Sequence, residues 1–217
     1  VREEADWIIS ADNIQPSALP KWPSTHVDAR VKPQATGWLV EPLRLSQPNA
    51  DFNGKLSWRT GPRASTQLSG QVDTRASAAL FTQLGLSGGL ESRSGQLNAE
   101  LAWPGDPSDF ALAQLNGKFS ANFKSGRLIG IDRINPLARV FGLVNASNLM
   151  RRLRFDFSDV TRKGLSFDEI KLAGELNRGV LLPANLDLDG PSVSMQGRGS
   201  VNLITHEVDS VCVWMFR

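Results

Sequence analysis

Apolar and polar residues alternate along most of the chain, and a glycine often stands within the apolar series. In LNGKF, Leu115, Gly117 and Phe119 fall on one face of an extended strand, and the two polar residues between them fall on the other. The same figure recurs as FNGKL around Gly54, LSGQV around Gly70, LAGEL around Gly174 and, in a longer form, MQGRGSV around Gly197. The copies are irregularly spaced, so the pattern predicts a sheet of loosely similar strands and not a solenoid of fixed period.

The alternation predicts about a dozen strands. The first six are expected at Trp7–Ala11, His26–Lys32, Trp38–Ser46, Asp51–Arg59, Ser65–Asp73 and Gln96–Trp103. Leu115–Phe123 and Arg127–Ile129 are expected to pair as a hairpin across the turn KSG. About four long strands, joined by the turns NRG, DGP and THE, are expected between Leu165 and Phe216.

Two or three short amphipathic helices are also predicted. The period changes over Ser77–Leu84, where three apolar residues group on one side of a short helix that stops at Gly85. A cap residue followed by proline begins an apolar series of helical spacing over Asn135–Val144. A further turn or two is predicted over Ser147–Arg152.

These few helices cannot cover the apolar face of so many strands, which therefore needs a second layer, closure into a barrel or an apolar ligand. The expected fold is mainly β: a long, curved, largely antiparallel sheet that forms a hydrophobic groove, as a half-pipe or a partly open barrel. Each mid-strand glycine costs about 0.5–1 kcal/mol. A single glycine is best explained by a bulge or twist. The whole set favours a curved sheet in which glycines on the apolar face leave room for a ligand; these glycines are Gly54, Gly70, Gly117, Gly174 and Gly197.

The apolar residues of these strands are predicted to line the groove. They are Phe52, Leu56, Trp58, Leu68, Val72, Leu97, Leu101, Leu115, Phe119, Phe123, Leu172, Leu176, Met195 and Val201. The alternative, which the sequence leaves open, is that the same residues form a closed hydrophobic core.

Composition excludes several classes of function. The hydrophobic fraction of 41% is typical of a folded chain, and a formal net charge of +2 with mixed signs argues against nucleic-acid binding. Cys212 is the only cysteine, and neither His26 nor His206 has a second ligand nearby in sequence, so no metal and no cofactor are expected. No run approaches the ~18 apolar residues of a membrane span. VREEADW is too polar for a signal peptide, and a chain starting at Val1 is expected to be part of something longer.

One motif suggests an enzyme. GLSGG, from Gly85 to Gly89, matches the G-x-S-x-G of serine hydrolases with Ser87 as the nucleophile. A nucleophile elbow stands between a strand and a following helix, whereas this motif follows a predicted helix and precedes a strand. The hydrolase is therefore a minor alternative, and no enzyme is expected.

Three passages resemble, in order and wording, the carboxy-terminal region of AsmA-like proteins of the YhdP type. They are LNGKFSANFKSGRL, FDFSDVTRKGLSFDEI and GPSVSMQGRGSVNL. The resemblance spans about Ala76–Asp209. It divides the chain into residues 1–75, a loosely matching β-strand segment, and residues 76–217, an AsmA-like C-terminal domain. That domain is expected to be truncated, since the ending VCVWMFR stands where the family has further strand and an apolar tail.

The resemblance implies a non-enzymatic conduit that carries phospholipid between inner and outer membrane through an apolar β-groove. The full-length protein would be periplasmic and tethered to the inner membrane by an anchor missing from this sequence. Its implied partners are phospholipid acyl chains, the membranes at its two ends, and other periplasmic or inner-membrane proteins. The alternative within the wider family is an assembly factor that pairs its strand edges with outer-membrane proteins.

Overall fold

A single antiparallel sheet dominates the structure, a computed structural model that describes residues 6–14, 23–83, 89–129, 164–205 and 207–216. Its eleven strands lie in the sheet in the same order as in the chain. They are β1 (Trp7–Ile14), β2 (Thr25–Gln34), β3 (Gly37–Ser46), β4 (Ala50–Arg59), β5 (Ser65–Thr74), β6 (Leu90–Pro104), β7 (Asn116–Leu128), β8 (Leu165–Asn177), β9 (Val180–Asp189), β10 (Val193–Asn202) and β11 (Val208–Phe216). Among the described strands, β1 and β11 form the two edges, so the sheet is open and not closed into a barrel. This confirms the prediction of a mainly β fold with a long antiparallel sheet of the kind that forms a groove.

Most predicted strands are confirmed, but the expected hairpin across KSG is wrong. β7 runs without reversal from Asn116 to Leu128 and pairs with β6 and β8 along its length. Ser125, in the supposed turn, takes a left-handed φ of 53°. Its neighbours Lys124 and Gly126 nevertheless keep their register with β8. A turn-like sequence here distorts one residue of a strand, because the ladders on both sides hold the rest extended.

The predicted helix over Ser77–Leu84 is confirmed as α1 (Ser77–Gln83), which lies against β6 and buries Leu80 and Phe81. Its first residue ties it to that strand: Ser77 Oγ donates to the Leu90 carbonyl and accepts from the Ser92 amide. The helices predicted over 135–144 and 147–152 lie outside the described residues. No helix within the described part of the chain is long and apolar enough to cross a membrane.

Two of the prolines inside the sheet lie at bulges. In β3, Glu41 and Pro42, joined by a cis peptide bond, stand opposite a single residue of both β2 and β4. In β9, Leu182 and Pro183 stand opposite a single residue of β10. Proline has no amide hydrogen to donate, so an interrupted ladder is one place where an inner strand accommodates it. Bulges increase local twist and bend the strand, which favours the curvature that a groove needs.

Polar contacts hold the edge strand β1 to β2. His26 places Nδ1 2.7 Å from Asp12 Oδ1 and Nε2 3.1 Å from Asp28 Oδ2. Both hydrogen bonds, that to Asp12 first, raise the pKa of His26 above its ordinary value. The pKa of Asp28 is lowered, chiefly by a hydrogen bond from Ser10 and next by His26. These contacts matter because β1 packs poorly: Ile8, for example, is 75% exposed.

The buried core forms two clusters on β6–β10 and the segments beside them. The first comprises Phe81, Leu90, Ala121, Phe123, Leu128, Leu165, Phe167, Ile170, Leu186, Leu188, Val193 and Met195. The second comprises Trp103, Leu115, Leu176, Leu181 and Val201. Phe119 and Leu172 pack against both clusters and join them.

Candidate functional site

Strand register gathers the predicted lining residues of β4–β6 into straight rows on one face. Phe52, Val72 and Leu97 are direct cross-strand neighbours and form one row. Leu56, Leu68 and Leu101 form a second row four residues along the strands. Directly paired residues share a face and lie about 4.5–5.5 Å apart. The rows therefore make a continuous apolar surface.

The fourteen predicted lining residues fall into two groups by burial. Those that pack inside the two core clusters are Leu115, Phe123, Leu176, Met195 and Val201. Those that are half-buried are Phe52, Leu56, Trp58, Leu68, Val72, Leu97, Leu101, Phe119 and Leu172. The first group is buried as in the alternative of a closed hydrophobic core, and Met195 has no solvent-exposed surface. The apolar face is thus accessible over β4–β6 and buried toward β10.

The accessible part of this face continues over β2 and β3. Val27 and Leu45 extend the row of Phe52, and Val31 and Val40 extend the row of Leu56. All four are half-buried. No ionisable residue occupies the rows of this face between β2 and β6, apart from the bulge at Glu41. A surface of this kind binds apolar groups, since nothing on it compensates the loss of water from a charge.

Aromatic rings pack over several glycines on the apolar face. Gly54 and Gly70 are direct partners, and the ring of Phe52 occupies the space where their side chains would project. The ring of Phe123 covers Gly95 in the same way. The vacancy that the sequence suggested at Gly54 and Gly70 is therefore filled by the protein itself. Laying a neighbouring ring over a strand glycine restores the apolar contact that the missing side chain would have made.

The other predicted glycines have different surroundings. Gly117 has a φ of +141°, and a side chain there would meet the carbonyl of Glu100, so its backbone explains its identity. Gly174 stands opposite Phe119, and Gly197 opposite Leu186. Both are half-buried on the apolar side of the sheet.

One feature of the site was missed from the sequence: an aromatic row along one rim. Trp38 and Trp58 are direct cross-strand partners, and the rings of Trp7 and Trp38 lie 5.2 Å apart. Asp106 joins this pair to Trp103, since its carboxylate accepts from Trp58 Nε1 at 2.8 Å and its carbonyl from Trp103 Nε1 at 3.0 Å. The tryptophan rim comprises Trp7, Trp38 and Trp58, and it adjoins Trp103, which is buried in the second core cluster. They are far apart in the chain, and only the strand register would have brought them together.

Ser87, the nucleophile of the hydrolase alternative, lies outside the described residues. Among the residues that are described, no group of three or more histidine, cysteine or acidic side chains is arranged to hold a metal.

Comparison with known proteins identifies the family. The profile of the family described as YhdP protein matches residues 13–213, nearly the whole chain. The chain belongs to the YhdP family. A curated member, the intermembrane phospholipid transporter YhdP of Escherichia coli (strain K12), is 26% identical over 148 residues, which are 68% of this chain and 12% of the relative. The chain thus spans only a small part of the length of that YhdP relative. No solved structure matches.

Proposed function

We propose that this chain is a non-enzymatic segment of a lipid conduit, with phospholipid acyl chains lying on the apolar face between β2 and β6. The observation that carries the proposal is the set of half-buried apolar rows that crosses these strands without a charge. The family relationship adds weight, because the E. coli relative is named as an intermembrane phospholipid transporter.

The energetics favour this use of the face. Each methylene group taken out of water contributes about 0.8 kcal/mol, so a phospholipid leaves a membrane only along a continuous apolar path. The rows of Phe52 and Leu56 supply that path across successive strands, each about 4.8 Å from the next. The open side of the face would leave the polar headgroup in solvent.

The buried clusters toward β10 limit the path. Phe123, Leu176 and Met195 are packed as core, so we place the lipid over the half-buried residues only. The lining set of the proposal is Phe52, Leu56, Trp58, Leu68, Val72, Leu97 and Leu101, with Phe119 and Leu172 at its inner limit. In the intact protein, this path would form part of a periplasmic route for phospholipid between the inner membrane, to which the protein is tethered, and the outer membrane.

Site-specific photo-crosslinking tests the proposal. A photoreactive residue at Leu68 faces the proposed path, whereas one at Gln67 faces the opposite side of the same strand. After expression in a diderm bacterium and irradiation, we expect mass spectrometry to find phospholipid attached at position 68 and none above background at position 67. Equal labelling at the two positions, or labelling at neither, would refute the proposal.

A further inference from the structure

We infer that the polar face of the sheet, opposite to the proposed lipid path, binds an extended, uncharged glycan in a trough that crosses β4–β7. This polar trough has a volume of about 440 Å³. The inference goes beyond the proposed function and depends on different side chains, because successive side chains of a strand point to opposite faces.

One wall of the polar trough is a row of uncharged hydrogen-bonding side chains. Asn53, Gln71, Asn98 and Ser120 line it, and each is the direct cross-strand partner of the next. Direct partners share a face, so the four side chains project together from the side that does not carry the apolar rows. The row offers donors and acceptors, since an amide has two N–H groups and a carbonyl, and a hydroxyl can serve as either.

Most of these groups are left free by the protein. Within the described part of the chain, the side chains of Asn53, Asn98 and Ser120 form no hydrogen bond. Gln71 is partly engaged, because its Nε2 donates to Asp73 Oδ2 at 2.6 Å. The row can therefore bond to a ligand without first breaking contacts of its own at three of its four positions.

The opposite wall carries no net charge. It is formed by Ser69, Glu100 and Lys118, of which Glu100 and Lys118 are direct cross-strand partners of opposite sign. Beyond the trough the same row continues with Lys55 on β4 and Glu175 on β8, again one of each sign. A charged ligand would meet attraction and repulsion together, whereas hydroxyl and acetamido groups can bond to both walls.

The shape of the polar trough fits a single extended polymer chain. Its two walls stand two residues apart along each strand, or about 7 Å, and the backbone of Gly70 and Ala99 lies between them. Along its length the trough crosses neighbouring strands that are about 4.8 Å apart. This spacing is close to the advance per sugar of an extended β-1,4-linked glycan. Successive sugars can therefore meet equivalent side chains on successive strands.

Hydrogen bonds alone would hold the glycan. The outward-facing positions of β4–β7 carry no aromatic side chain on which a sugar ring could stack. We therefore expect weak binding, with a dissociation constant of about 1 mM.

An NMR titration of the 217-residue chain with chitohexaose, an extended and uncharged β-1,4-linked glycan of N-acetylglucosamine, tests the inference. We expect it to shift the side-chain amide signals of Asn53 and Asn98 and the backbone signals of Gly70 and Ala99. Maltohexaose is the control ligand, because its α-1,4 linkages curl the chain, and it should leave these signals in place. The inference is overturned, and the proposed function left intact, if chitohexaose shifts nothing in the trough or if both sugars shift it equally.

Two amide variants test the position of the site. Asn98→Ala removes one amide from the middle of the row, so we expect chitohexaose to bind about fivefold more weakly. The matched control is Gln67→Ala, which removes an exposed amide of β5 that faces the same side but lies outside the trough. It should leave the affinity unchanged. Equal weakening in the two variants, or no weakening in Asn98→Ala, would overturn the assignment of the site to the polar trough.

Discussion

Adding one methyl group at Gly70 tests the way in which the floor of the sheet is built. A β-carbon at this position would lie 2.6 Å from the Asn53 carbonyl oxygen and 2.7 Å from two atoms of the Phe52 ring. Overpacking of this kind costs about 1–3 kcal/mol. Replacing a strand glycine by alanine returns about 0.5–1 kcal/mol of backbone entropy. We therefore expect Gly70→Ala to lower the free energy of unfolding by about 1 kcal/mol.

A double-mutant cycle separates the contribution of the ring from that of the backbone. Phe52→Ala alone should cost about 2 kcal/mol, less than the 3–5 kcal/mol of a fully buried phenylalanine because Phe52 is half-buried. With the ring removed, the added methyl of Gly70→Ala still meets the Asn53 carbonyl but no longer meets the two ring atoms. Its penalty should then fall by about 1 kcal/mol, which gives a coupling energy of that size between the two positions.

Urea denaturation followed by tryptophan fluorescence measures these energies, since the chain has six tryptophans and no tyrosine. Ser69→Ala, next in the strand and on the opposite face, is the control and should change stability little. If the two substitutions are additive within about 0.3 kcal/mol, the ring does not rest on Gly70 and the account of the glycines is wrong.

Two further predictions concern the edge and the core. The contacts of His26 with Asp12 and Asp28 raise the pKa of His26 in the folded state. The stabilisation that these contacts give is therefore complete below the unfolded-state pKa of about 6.5 and is lost as the pH rises through the folded-state pKa. Hydrogen-exchange protection factors of β1 should accordingly fall as the pH rises above about 6.5, and the same fall in His26→Asn would contradict this. Ile170→Ala should lower the free energy of unfolding by about 4 kcal/mol because Ile170 is fully buried. Leu56→Ala, at a half-buried position, should lower it by less than half as much while reducing the amount of bound phospholipid. Equal urea midpoints for the two variants would contradict the division of the face into an accessible part and a buried part.

The alternation of polar and apolar residues was sufficient to predict the sheet. β4 is an example: Phe52, Leu56 and Trp58 share a face in the sequence pattern and in the structure, because the side-chain period of a strand is fixed by its backbone. The turns NRG and DGP were also located correctly, at the ends of β8 and β9.

The features that could not be predicted from the sequence depend on contacts between residues that are distant in the chain. Leu68 and Leu176 stand in similar motifs, yet one is half-buried and the other belongs to a core cluster. The ring over Gly70 comes from Phe52 on the neighbouring strand, so the local pattern shows a gap where the structure has none. Ser125 likewise has the sequence of a turn but lies within β7, between two ladders.

The most direct test of the central claim is to locate a bound acyl chain. The chain would be crystallised with a phosphatidylglycerol brominated on its tails, and the bromine atoms would be located by their anomalous scattering. We expect bromine within van der Waals contact, about 4 Å, of Leu68 or Leu101 on the apolar face of β5 and β6. Lipid bound only on the opposite face, or crystals that exclude the lipid while the apolar face remains empty, would contradict the account.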